Sequence, residues 1–104
     1  MTYKDFYEFS RFLKQSFKSR QQISIRRVIL PSKVDGDCHL NKNRFTIRIE
    51  RNLPAFYAIE VLIHEMAHCL SWTTDHDEYH NDSWGKAYSK VYRKFLEWYN
   101  DNYD

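Results

Sequence analysis

The chemistry of this 104-residue chain concentrates in the run His64-Glu65-Met66-Ala67-His68. An α-helix advances about 100° per residue, so positions i and i+4 stand one above the other on the same face. Two imidazoles placed this way bind one Zn²⁺, each at roughly 2.0–2.1 Å, without bending the backbone. Glu65 lies about 100° round the helix from His64. It is poorly placed to ligate the metal and suited to take a proton from a water that the metal activates. On a helix this is the HExxH arrangement.

A catalytic zinc takes three protein ligands and keeps a fourth position open. The candidates for the third lie just downstream: Asp75, His76, Asp77, Glu78, His80 and Asp82. His80 is the first choice, because it sits where an acidic loop enters the next helix, ahead of Asn81-Asp82-Ser83-Trp84-Gly85. Trp84 can then anchor the helix start in the core while His80 turns back toward the metal. His76 is the alternative ligand. Asp75 and Asp77 are candidates to receive the imidazole N–H groups. His39, beside an Asp-Gly turn signal, reads as structural or solvent-facing, and Cys69 as buried packing.

Helices and strands must hold these groups. Residues 2–18 carry Tyr3, Phe6, Phe9, Leu13 and Phe17 at spacings of three and four, which predicts an amphipathic helix. The β-branched run Gln22–Leu30, closed by Pro31, predicts a strand. Val34–His39 holds turn chemistry. Arg44–Glu50 alternates, with Phe45, Ile47 and Ile49 on one face, and predicts a half-buried strand whose polar side faces solvent or substrate. Asn52-Leu53-Pro54 announces the HExxH helix, which runs to about Trp72 with Ile59, Leu62, Ile63, Met66 and Leu70 as its core stripe. Asn81 or Asp82 caps a last helix from Ser83, whose aromatic face reads as core rather than as a ligand groove. The order predicts a single α+β domain over 1–104: an N-terminal helix, a two- to three-stranded sheet, the HExxH helix and a C-terminal helix.

Composition agrees. Three Trp, eight Tyr and seven Phe let a short chain build a core, while two Gly and two Pro argue against a barrel of many tight turns. No run of 18 apolar residues predicts a membrane span, no signal peptide is visible, and Cys38 and Cys69 form no CxxC pair and no disulfide framework, so a cytoplasmic, reducing location is expected. Residues 1–52 hold 12 Lys/Arg against 5 Asp/Glu, and residues 53–104 hold 4 against 9. That polarity hints at an anionic neighbour, although a solvated basic surface is the plainer reading.

The run from His64 to Phe95, with the strands upstream of it, resembles the SprT-like branch of the zincin metallopeptidases. It is most similar to the short, single-domain members encoded by tailed phages, which share a His-x-x-x-Trp-Gly entry to the last helix. Asn81 stands where the family has Gly, and the zinc-ribbon cysteines of longer members are missing. The resemblance implies a small zincin-like fold and a zinc-dependent endopeptidase. His64, His68 and His80 would hold one Zn²⁺, Glu65 would act as base, and a protein or peptide would be the substrate. A peptide laid along the strand at 44–50 is one expected binding mode, with Tyr79 or Tyr88 available as oxyanion donor. Two other classes stand beside it. One is a catalytically silent domain stapled by zinc. The other is a protein associated with nucleic acid or DNA-bound proteins through Arg26, Arg27, Arg44, Arg48 and Arg51.

Overall fold

Thr2 opens the first helix with a reciprocal cap. Its Oγ1 accepts from the Asp5 amide at 3.3 Å, while Asp5 Oδ2 accepts from the Thr2 amide at 2.7 Å; caps of this kind contribute about 0.5–2 kcal/mol. The computed structural model describes residues 1–17, 22–72 and 82–103. In order, the elements are helix α1 (Tyr3–Ser16), strands β1 (Gln22–Val28), β2 (Gly36–Asn41) and β3 (Arg44–Glu50), and helices α2 (Ala55–Leu70) and α3 (Asp82–Tyr103). The α+β architecture expected from the sequence is what forms. Among the described residues no helix is long and apolar enough to cross a membrane.

The sheet order is β1-β3-β2, with β1 parallel and β2 antiparallel to β3. The alternation of β3 is realised: Phe45, Ile47 and Ile49 are buried, and Arg44, Thr46, Arg48 and Glu50 turn outward. However, β3 is the central strand, so both its edges are taken and the residues at 44–50 present no free edge to a peptide. The Asp-Gly signal also misleads. Gly36 starts β2 instead of turning the chain, and the reversal comes at Lys42, which takes a positive φ of 57°.

Helix α2 packs on β2 and β3, and α1 and α3 pack against α2 and against each other. Phe6, Phe9 and Leu13 of α1, Ile59, Leu62, Ile63 and Met66 of α2, and Val91, Phe95 and Trp98 of α3 join Phe45, Ile47 and Ile49 in one cluster. Each such side chain gains about 1.5–3 kcal/mol from leaving water. Phe9 packs against Phe95 and Trp98, with ring centroids 5.4 Å from each. Leu70, at the end of the expected stripe, is half-buried.

The entry to α2 is fixed by one carboxylate. Glu50 accepts from the Leu30 amide through Oε1 and from the Asn52 amide through Oε2, both at 2.8 Å, and these bonds hold its pKa below the usual carboxylate value. Sequence alone puts Asn52 or Leu53 near the cap and Pro54 in the first turn, whereas Pro54 itself takes the N-cap position of α2. Its ring supplies a preset φ where no amide donor is needed.

Candidate active site

Helical spacing predicts that His64 and His68 share a face, and they do. Their Nε2 atoms approach to 3.2 Å and their ring centroids to 4.9 Å. Two nitrogens bound at 2.0–2.1 Å with a tetrahedral angle between them stand about 3.3–3.4 Å apart. The donor pair therefore suits a zinc ion with little adjustment. Trp84 of α3 forms a wall behind it: its ring centroid lies 5.1 Å from that of His64 and 5.7 Å from that of His68. Its indole Nε1 donates to the His64 carbonyl at 3.4 Å. Trp84 is half-buried, so it anchors the helix start against the imidazoles rather than inside the core.

Glu65 is 7 % exposed, and its Oε2 lies 3.9 Å from His64 Nε2. Burial, with the negative charge of Asp37 second, pushes its carboxyl up to about 7. Asp37 itself is held ionised, below the usual range, chiefly by Arg48, which donates from Nε at 2.8 Å and from one terminal nitrogen at 2.5 Å. A carboxyl poised near neutrality can both accept and return a proton.

Gly36 brings β2 against the helix at this point. A Cβ there would stand 2.5 Å from Val61 Cγ1, 3.1 Å from the Arg48 carbonyl oxygen and 3.5 Å from Glu65 Cγ. Only glycine permits that approach. Gly36→Ala is expected to cost about 1–3 kcal/mol through overpacking, measured by urea denaturation. Adding Val61→Ala should recover part of the loss, because it removes the nearest clash.

A cleft of about 570 Å³ opens beside the pair, lined by Gly36, Val61, His64 and Glu65 and walled by Tyr57 and Tyr88. Tyr57 donates to Asp35 Oδ2 at 2.9 Å across its mouth. Tyr88, half-buried, packs against the core cluster and also lines the cleft. As parts of the site, Gly36, Asp35 and Tyr57 are not evident from sequence: Asp35 and Gly36 read only as a turn, and Tyr57 carries no signal. The one signal that could have found Gly36 is a glycine next to an alternating strand, which marks close backbone approach as well as a turn.

Residues 73–81, with Asp75, His76, Asp77, Glu78, Tyr79, His80 and Asn81, lie outside the described residues, and with them both candidates for a third histidine ligand. Among the described residues no group of three or more His, Cys, Asp or Glu side chains converges to hold a metal ion. Asp82 is exposed in the first turn of α3. His39 points to solvent, its side chain 59 % exposed and 3.4 Å from Asp37.

Several of the arginines expected to face nucleic acid are engaged within the fold. Arg27 lies over the Tyr3 ring, 3.4 Å from its centroid, and donates to Tyr7 Oη at 3.2 Å and to the Arg51 carbonyl at 2.9 Å. Arg44 donates to Gln22 Oε1 at 2.8 Å, and Arg48 holds Asp37.

A sequence model of the SprT-like family matches residues 2–102, nearly the whole chain. No curated protein matches the sequence.

Proposed function

We propose, from the premise that this chain belongs to the SprT-like family, that it is a zinc-dependent endopeptidase. The observation that carries the reading is the 3.2 Å approach of His64 and His68 Nε2 beside a buried Glu65, with His64 and Glu65 lining an open cleft. His64 and His68 would hold the ion together with His80, or with His76 in its place. When bound, Zn²⁺ supplies a Lewis acid that polarises a carbonyl and makes water acidic enough to react near neutral pH.

The rest of the work falls to the chain. Glu65 accepts a proton at its carboxylate from the attacking water and returns it to the leaving amine. Val61, Tyr57 and Tyr88 give the cleft apolar walls against which substrate side chains pack. Because β2 pairs only with β3 among the described residues, its outer edge can hydrogen-bond an extended peptide in place of the expected strand at 44–50.

Elemental analysis of the purified protein should find one equivalent of zinc. An unfolded protein substrate should be cleaved, with the activity removed by a chelator and restored by added Zn²⁺. Zinc at one equivalent without any cleavage would favour the silent, zinc-stapled reading instead.

A further inference from the structure

The two cysteines lie 31 positions apart in sequence, yet Cys38 Sγ and Cys69 Sγ stand 2.8 Å apart as free thiols. Cys38 sits on β2, opposite Ile47 of β3 and two residues beyond Gly36. Cys69 is buried on α2, directly after His68. A bonded pair stands at 2.03–2.05 Å, so the sulfurs need close by only about 0.8 Å. Both are carried on regular elements that fix where the side chains point. With two cysteines in the chain, no other disulfide can tie β2 to the helix, and among the described residues β2 is an edge strand paired with β3 alone.

We propose that Cys38 and Cys69 form a redox modification site, closing to an intramolecular disulfide that pins the cleft-forming strand β2 to the helix carrying His64 and His68. The oxidant is a low-molecular-weight disulfide. The half-buried Cys38, the more accessible of the two, displaces one thiol from it and forms a mixed disulfide. Cys69 then displaces the second thiol from Cys38. Two S–H bonds are replaced by one S–S bond, the external disulfide is reduced to two thiols, and each departing thiol leaves with one cysteine proton. The site follows from the thiol geometry and does not depend on the peptidase reading, so its test uses no activity.

The full chain, reduced and then exposed to oxidised glutathione, should lose both titratable thiols and two hydrogens in intact mass, with no glutathione retained. Its Tm should rise by on the order of 10 °C, given the length of the loop closed and the size of the chain, and dithiothreitol should reverse the rise. In Cys38→Ser the oxidant should leave Tm unchanged. Thiols that persist, a stable glutathione adduct on the wild-type chain, or an equal Tm rise in Cys38→Ser would each overturn the proposal.

Discussion

Glu65→Gln is expected to lower hydrolysis of an unfolded protein by about 10²–10⁴-fold, the usual contribution of a positioned general base. Zinc content and the far-ultraviolet circular dichroism spectrum should stay as in the wild type. The change keeps the shape of a side chain packed beside Gly36 and removes only its ability to take a proton. It also has a stability consequence with a definite sign. Burial raises the Glu65 carboxyl from 4.5 to about 7, so folding favours its protonated form. In the metal-free protein that contribution is complete below pH 4.5 and is lost as pH rises through 7. Metal-free Glu65→Gln should therefore gain on the wild type at pH 8, by up to ~3 kcal/mol from a shift of that size, and gain nothing at pH 4. Denaturant titrations at the two pH values read this directly. If the variant kept full activity, Glu65 would be a packing residue and the catalytic reading would fail.

The second large effect is expected at the imidazoles. Losing even an outer partner of a zinc ligand typically costs 10–100-fold in affinity, so His68→Ala, which removes a ligand itself, should weaken zinc binding by more than about 100-fold and abolish cleavage. His64→Ala should behave alike. Competition with a chromophoric chelator measures the affinity, and circular dichroism checks that the core stripe of α2 still folds. The same assay separates the two candidates for the third ligand. His80→Ala should lose zinc as severely as His68→Ala, and His76→Ala should keep it. The reverse pattern would move the third ligand to His76.

Much of this arrangement is legible in local pattern, and the reason is periodicity. The apolar stripe of α2 and the i, i+4 histidine pair both repeat with the helix, so one reading places Leu62 inward and His64 beside His68. The alternation of Phe45, Ile47 and Ile49 does the same for β3. What escapes is pairing between elements distant in sequence. Nothing near Arg44–Glu50 says that β3 takes neighbours on both sides, because strand order is decided by how the whole chain covers its apolar faces. Gly36 looks like a turn residue until Val61, from another element, is seen to occupy the space of its missing side chain. Cys38 and Cys69 show no motif, and only the packing of β2 on α2 brings them together. Arg27 reads as a surface charge, yet Tyr3 lies under it.

The helix that carries His64, Glu65 and His68 also supplies Ile59, Leu62, Ile63 and Met66 to the interior, and it touches both other helices and two of the three strands. In a chain this short, one rod is keel and toolholder together. The alignment of the reactive groups therefore inherits the cooperativity of the entire fold, and substitutions far from the cleft that unsettle the keel will read out as lost chemistry before they read out as lost structure.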